Sequence, residues 1–429
     1  MSDSQSTFDG MLKQYYDREA VHNLVYNKNR FLTMVDKDTE FTGDTYKKGI
    51  IFGSNSTNSA DATVSYNLSQ VNDQQVMAWN ITNRAKQYGF ANWSRETMLA
   101  SAANAGAFAS VAKVNMDNKI RDMGNTLAGL CYRNGTGSQG TISSTVNGKT
   151  FSASGTQIQL SILSDVNSFF VGQQLDVSAV DGGAIRTEGS SNNGLIVTGV
   201  DRTLGILSFG FAVNDSTNGI PNIAAGDYLY VKGNAANGQT AVCTFGLESW
   251  IPAVSPGPND SFWGWNRSVD TLLSGQRLNA TDGRPLEEAI IEAADLVANQ
   301  GGAVDTFFCS FSAYSRFLKE QVGRQLHYED ITTDLGISFR GLELHTSTGD
   351  AVIIPDRTCP ANRIFGLQMD TWTMATLGDM VQNVNEDSLT MLRQTGADNF
   401  ETRFVSYYQL VCAAPAYNVN IQIPGNQQT

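Results

Sequence analysis

The chain has 429 residues, of which 41% are hydrophobic and 17% are charged, and its net charge is −13. This length allows two or three domains with a sizeable core, and the hydrophobic share is typical of a globular protein. An acidic chain does not wrap DNA tightly, because that affinity comes from neutralising phosphates. With so few charges, much of the surface is expected to be covered by protein neighbours.

The N-terminus has no basic region followed by an apolar one, and no apolar run is long enough to span a bilayer. We therefore expect neither a secretory signal nor a membrane contact. The cysteines are odd in number and far apart in sequence, which fits neither a zinc site nor a disulfide framework. They are Cys131, Cys243, Cys309, Cys359 and Cys412. The pattern predicts buried free thiols in a reducing cytoplasm.

Residues 7–29 have the apolar spacing of a helix, with Phe8, Leu12 and Tyr15 among its apolar positions. Such a helix either packs on its own domain or forms an arm that contacts a neighbouring subunit. The periodicity alone does not separate these two interpretations.

Residues 43–89 predict a long two-stranded hairpin. The first strand begins at Tyr46, and Met77, Trp79 and Ile81 lie on one face of the return strand. An isolated hairpin is barely stable in water, so this one must pack on another surface. The aromatic residues favour a second subunit, although a strand pair packed within its own chain is the more common case.

Residues 94–133 predict one helix of roughly 55–60 Å, with Ser94 as its N-cap. Apolar residues recur on one face of its second half at steps of three and four. They are Met116, Ile120, Met123, Leu127 and Leu130. A helix of this length exceeds what a small domain needs, and it indicates a backbone on which other parts are carried.

Residues 139–245 are rich in Gly, Ser, Thr and Asn, and short β runs recur there between turn signals. This pattern predicts an inserted β barrel or sandwich. After it, Pro285 opens a helix that runs to about residue 299, residues 304–309 predict a buried strand, and the chain is mostly β from residue 364 onward. The fold class is α+β with an all-β insert.

No pattern in the sequence indicates catalysis, a cofactor or a metal. Residues 135–140 match the dinucleotide fingerprint, but they follow a helix, whereas the fingerprint needs a strand before it and a helix after it. The carboxylates within residues 287–292 are typical of a solvated helix face. The histidines share no ligand spacing with one another; they are His22, His327 and His345. We expect a structural protein rather than an enzyme.

Short stretches in a fixed order over nearly the whole chain carry a resemblance to a known family. They are residues 19–26, 105–108, 132–135, 225–229, 250–252, 262–270, 360–363 and 368–372. With the order of arm, loop, long helix and α/β part, the chain resembles the major capsid protein of tailed bacteriophages, which has the Hong Kong 97 fold.

The resemblance implies a division of the chain into named parts. These are an N-terminal arm (1–42), an extended loop or E-loop (43–90), the spine helix of a peripheral domain (91–138), an inserted β domain (139–246), a peripheral segment with a loop (247–282), an axial domain (283–363) and C-terminal strands of the peripheral and axial domains (364–429). The extended loop would lie over the adjacent subunit. The predicted subunit-contact residues are therefore Tyr46, Met77, Trp79, Ile81, Phe8, Leu12 and Tyr15.

The resemblance also implies a function and partners. Copies of the chain would form pentamers and hexamers of an icosahedral head that encloses double-stranded DNA, assembled in the bacterial cytoplasm. The expected partners are other copies, a separate scaffolding protein, a portal protein at one vertex and a decoration or cement protein, with weak non-specific DNA contact and no membrane. Lys47 and Lys48 lie in the loop, but no partner context predicts a covalent cross-link.

Two other classes are compatible with parts of the sequence. An encapsulin-type cellular compartment shares the fold, and the β insert favours the virus only mildly. A repetitive surface or fibre protein is the other class, and the single long helix argues against it.

Overall fold

A computed structural model describes residues 29–51, 60, 61, 63, 76–96, 105–238, 241–320, 328–332, 338–384, 392–394, 396 and 398–425. Its few helices and many strands confirm the α+β class. The predicted arm helix at residues 7–29 lies outside the described residues except for its last position. No helix of the described part is long and apolar enough to cross a membrane.

The elements divide into three successive groups along the chain. The first group is α1 (Arg30–Met34), β1 (Asp36–Asp38), β2 (Tyr46–Ile51), β3 (Val76–Ile81), β4 (Ala85–Ser94) and α2 (Ala105–Tyr132). The second group is β5 (Ser138–Thr141), β6 (Thr145–Val146), β7 (Lys149–Thr150), β8 (Gln157–Gln159), β9 (Gln174–Ser178), β10 (Leu195–Asp201), β11 (Ile206–Phe209) and β12 (Tyr228–Val231).

The third group contains the remaining helices and strands. They are α3 (Leu247–Trp250), β13 (Ser261–Phe262), β14 (Trp265–Asn266), β15 (Gln276–Asn279), α4 (Leu286–Ala298), β16 (Thr306–Cys309), α5 (Phe311–Glu320), β17 (Tyr328–Thr332), β18 (Ser338–Thr346), β19 (Gly349–Pro355), β20 (Arg363–Leu367), β21 (Trp372–Thr376), β22 (Gln382–Asn383), β23 (Leu392–Arg393), β24 (Asn399–Cys412) and β25 (Val419–Gln422).

The 14-residue strand β24 is the centre of one sheet, here called the β24 sheet. It pairs antiparallel with β4, β21, β22 and β23, and β1 adds to β21 in parallel. Helix α2 packs on β4. At Gly89 a side chain would collide with α2, since a Cβ there would lie 2.5 Å from the sulfur of Met123.

Helix α2 carries the predicted apolar stripe. Its members Met116, Ile120, Met123 and Leu127 are buried in the main core, as the spacing predicts. The described helix has 28 residues and is therefore roughly 42 Å long. Ser94 ends strand β4 and is followed by helical Arg95 and Glu96. The predicted continuity of the helix between these residues and α2 lies outside the described residues.

A second sheet, here called the β16 sheet, has the order β15-β25-β20-β16-β19-β18-β17. Helix α4 covers it through a buried face that includes Leu286, Ile290 and Val297, in agreement with the predicted apolar spacing. Strand β16 is buried along its whole length, which confirms the predicted buried strand.

An aromatic junction, formed by Phe31, Tyr132, Phe308 and Phe365, joins the β16 sheet to the rest of the chain. The ring of Phe31 lies 5.4 Å from the rings of both Tyr132 and Phe308, measured between centroids. The ring of Tyr132 lies 5.8 Å from that of Phe365. The end of α2, the N-terminal segment and two strands of the β16 sheet therefore share one buried contact.

A buried carboxylate holds the N-terminal segment in this junction. Asp356 accepts a hydrogen bond from the backbone N–H of Phe31 at 3.0 Å and another from that of Thr358 at 2.9 Å. The Arg30 guanidinium donates to the backbone oxygen of Pro355 at 2.8 Å. These contacts tie α1 to the end of β19.

The inserted part is a closed β barrel, so the structure decides between the barrel and the sandwich that the sequence left open. Its strands have the order β5-β12-β9-β10-β11-β8. The two end strands meet through the Ile142–Leu160 bridge and through hydrogen bonds from Ser143 to Gln159 and from Ser161 to Thr141. Closure leaves no free strand edge among these six strands, and their apolar side chains form a core of their own.

The barrel is attached to the end of α2 by a tight joint. The Arg133 guanidinium donates to the Asp165 carboxylate at 2.8 Å, and both side chains are largely buried. Gly137 has a φ of +89° and passes so close to Asn234 that a Cβ would lie 2.0 Å from its backbone oxygen. The entering and leaving segments therefore touch at the joint. Beyond it, the Thr244 hydroxyl accepts a hydrogen bond from the backbone N–H of Leu410 in the main core.

This joint predicts that the barrel can be removed without unfolding the remainder. Replacing residues 139–233 by a short Gly-Ser bridge removes the barrel core but keeps Gly137, Asn234 and Thr244. We expect the shortened chain to retain a cooperative thermal transition and the far-ultraviolet circular dichroism of the remaining elements. A shortened chain that aggregates wholly, under conditions in which the full chain stays folded, would show that the barrel completes the main core.

All five cysteines are buried and free, as the sequence predicted. Burial raises the pKa of Cys243, Cys309 and Cys412 to about 12 from an ordinary value of 9.0. Burial likewise raises the pKa of Cys131 and Cys359. A thiol that stays protonated and covered is a poor nucleophile and a poor metal ligand.

The five thiols are expected to be unreactive towards a disulfide reagent such as DTNB at pH 8 and to react fully after denaturation. The thiols ionise more readily in the unfolded chain, so the free energy of unfolding should fall as the pH rises from about 9 towards 12. Rapid modification of the native chain at pH 8 would contradict the burial of the cysteines.

Candidate subunit-contact surfaces

The hairpin of β2 and β3 has the predicted alternation, but its apolar face packs on its own chain. Tyr46 is paired with Ile81, and Lys48 with Trp79, so these residues share one face. Trp79 and Ile81 have no exposed surface. A side chain that is fully covered within one chain has no surface left for a neighbour. The prediction that Trp79 and Ile81 contact another subunit is therefore corrected.

Trp79 belongs to an aromatic cluster in the main core. Its ring meets the edges of Trp250 and Phe262 at centroid distances of 5.3 and 6.0 Å. Trp250 in turn donates its indole N–H to the backbone oxygen of Leu410 in β24 at 3.1 Å. The base of the hairpin is thus fixed to the centre of the β24 sheet.

Of the other predicted contact residues, the structure describes the side chain of Tyr46 alone. Tyr46 is half-buried, and its hydroxyl donates a hydrogen bond to Asp38 at 2.7 Å. Burial is the main cause that raises the pKa of Tyr46, and the Asp38 carboxylate raises it further. Met77 lies in β3 opposite Ile50, and its side chain lies outside the described residues. Phe8, Leu12 and Tyr15 also lie outside them. For these residues subunit contact stays a prediction.

Replacing Trp79 by alanine should destabilise the free subunit by about 3–5 kcal/mol, because it removes a large buried side chain and leaves a cavity beside Trp250 and Phe262. Chemical denaturation of the free subunit measures this loss. Asn80→Ala is the matched control, since Asn80 is exposed on the opposite face of the same strand. Unchanged stability of the Trp79 variant would restore the interface interpretation.

A broad groove, here called the β4 groove, lies between β4, helix α2 and the barrel. Its volume is about 1300 Å³. Large apolar side chains line it in exposed positions: Tyr88 is 66% exposed and Phe90 58% exposed on β4, and Val171 and Val242 face it from the barrel side. Several large apolar side chains exposed together usually mark a site of interaction with another molecule.

Strand β4 also presents a free edge. In the described part of the chain it pairs with β24 alone, over all ten of its residues. Its side chains alternate, with Gly89, Ala91 and Trp93 turned inward and Tyr88 and Phe90 outward. An unpaired edge beside exposed aromatic rings can accept a further extended segment.

The charges around the β4 groove are few and mostly satisfied. Lys119 pairs with Asp122, with 3.4 Å between nitrogen and oxygen, and Lys232 pairs with Glu188 at 2.8 Å. Arg84 donates to the backbone oxygen of Gly43 at 2.8 Å. We therefore expect the partner of this groove to present apolar and uncharged polar side chains rather than a strongly charged surface.

Sequence reasoning missed this surface, although a signal was present. Residues 85–94 alternate between small or aromatic inward positions and outward positions that include Tyr88 and Phe90. The hairpin assignment ran through residue 90, so the second half of this stretch was attributed to the loop. The alternation could have identified a separate strand, but not its burial partner or its free edge.

Comparisons with known proteins show which proteins this chain is similar to. Residues 226–422, from the last barrel strand through β25, match the family model described as SU10 major capsid protein. This match confirms the resemblance to tailed-phage major capsid proteins of the Hong Kong 97 type. No curated protein matches the sequence.

Solved structures are similar over most of the chain at low identity. The cyanophage A-1(L) capsid asymmetric unit is 11% identical, with 94% of this chain and 92% of that chain covered and a TM-score of 0.43. The satellite phage P4 procapsid including size determination (Sid) protein is 10% identical, with 98% and 97% covered and a TM-score of 0.41. The holo-SrpI encapsulin complex from Synechococcus elongatus PCC 7942 is 8% identical, with 94% and 91% covered and a TM-score of 0.42. The assignment rests on the family match.

Proposed function

We propose that copies of the chain, whose residues 226–422 match the SU10 major capsid protein family model, assemble as pentamers and hexamers into the icosahedral head that encloses the double-stranded DNA of a tailed bacteriophage. Its role is structural, as a shell-forming protein of the virion. An encapsulin-type shell would use the same fold, and the family match favours the virus.

The observation that best supports the assembly proposal is the β4 groove. It combines exposed aromatic rings with the free edge of a ten-residue strand, features that an isolated soluble subunit would tend to cover. We propose that another copy of the chain covers this groove in the shell. The β24 sheet with α2 would then form the peripheral domain, and the β16 sheet the axial domain.

Assembly of a phage head also implies partners other than copies of the same chain. A scaffolding protein would direct shell closure in the host cytoplasm, a portal protein would occupy one vertex, and a decoration protein would bind the finished shell. DNA contact would be weak and independent of sequence, because a chain of net charge −13 repels phosphates on average.

The double variant Tyr88→Ser, Phe90→Ser tests the proposal. Both side chains are exposed in the free subunit, and the variant removes the edge-on contact of Tyr88 with Tyr407, so the free energy of unfolding should fall by no more than about 1 kcal/mol. The yield of closed particles, measured by sedimentation and negative-stain microscopy of chain co-expressed with the adjacent phage assembly genes, should fall sharply.

Phe211→Ser is the matched control, since Phe211 is a similarly exposed ring on the barrel, away from the groove. It should leave both stability and particle yield unchanged. Full particle yield from the double variant would refute the role of the β4 groove. Absence of particles from the unmodified chain under the same conditions would instead count against shell formation itself.

A further inference from the structure

Three side chains with metal-binding atoms meet at the end of the β18–β19 hairpin. Glu343 and His345 are two residues apart in β18 and therefore lie on the same face of the strand. Asp350 of β19 stands directly opposite His345 in the antiparallel register. One donor atom from each of the three side chains lies within 4.8 Å of the other two.

Among the side chains that the structure describes, this cluster contains two carboxylates and one imidazole. Asp350 contacts Nδ1 of His345, and this hydrogen bond raises the pKa of the imidazole. The Glu343 carboxylate has no hydrogen bond or ion pair with any residue that the structure describes. Two carboxylates thus face one imidazole, which neutralises only one of them even when it is protonated. A divalent cation would neutralise both.

We propose that Glu343, His345 and Asp350 bind one divalent transition-metal ion of the Zn²⁺ class. An imidazole nitrogen combined with carboxylate oxygens suits Zn²⁺ and its neighbours, whereas Ca²⁺ and Mg²⁺ prefer sites made of oxygen alone. The backbone ladder fixes the relative positions of the two strands. The side chains of His345 and Asp350 are 72% and 60% exposed, so an ion can reach them from solvent, and water can complete its coordination.

The ion would join the two strands next to the turn of the hairpin. The alternative interpretation is an ordinary exposed His–Asp pair, which contributes little to stability. The two interpretations differ in one measurable respect, because only the site predicts saturable binding of metal that depends on all three side chains.

The experiment uses the full-length free subunit without an affinity tag. Calorimetric titration with Zn²⁺ should give one site per chain, and Co²⁺ should give a visible absorption band that Zn²⁺ displaces. Each of the variants Glu343→Gln, His345→Asn and Asp350→Asn should weaken Zn²⁺ binding by about tenfold or more. Ca²⁺ and Mg²⁺ should compete poorly with Zn²⁺.

A control variant tests the specificity of the cluster. Glu288→Gln removes an exposed carboxylate on α4 and should leave Zn²⁺ binding unchanged. The buried, protonated cysteines do not compete in the folded chain. Zn²⁺ binding that survives His345→Asn, or no saturable binding up to about 1 mM Zn²⁺, would overturn the proposal. The measurement needs no assembled shell, so its outcome is independent of the proposed function.

Discussion

The aromatic junction is the contact on which the arrangement of the chain depends. Phe31, Tyr132, Phe308 and Phe365 come from four separate segments of the chain, and the centroid of each ring lies within 6 Å of at least one other. Burying several aromatic rings in one place supplies much of the apolar area of a domain interface. The carboxylate of Asp356 adds direction, because its hydrogen bond to Phe31 fixes where the N-terminal segment enters.

From this junction the two sheets perform different tasks. The β24 sheet and α2 provide a rigid support whose long strand holds β4, the hairpin base and the end of the chain together. The β16 sheet is covered by α4 and carries the β18–β19 hairpin. The barrel has a separate core and is attached to the end of α2 through the Arg133–Asp165 ion pair.

The surface proposed for assembly lies where the β24 sheet and α2 cover an element only partly. Strand β4 is half covered, since α2 packs on its inward face while no described strand other than β24 pairs with it and its outward rings are exposed. The hairpin base shows the opposite case. Its Trp79 already has Trp250 and Phe262 as partners within the chain, so the energy of its burial is used in folding rather than in association.

The sequence by itself determined the α+β class, the stripe of α2, the buried thiols, the buried strand β16 and the existence of a β insert. Each of these follows from local spacing, because the period of apolar residues directly reflects the geometry of a helix or strand. Only the tertiary structure decided which surface covers each apolar face. The spacing of Met77, Trp79 and Ile81 shows that one face is buried, but a core of the same chain and a neighbouring subunit produce the same pattern. Likewise, His345 and Asp350 become neighbours only through the antiparallel register of β18 and β19, which turn geometry and packing select.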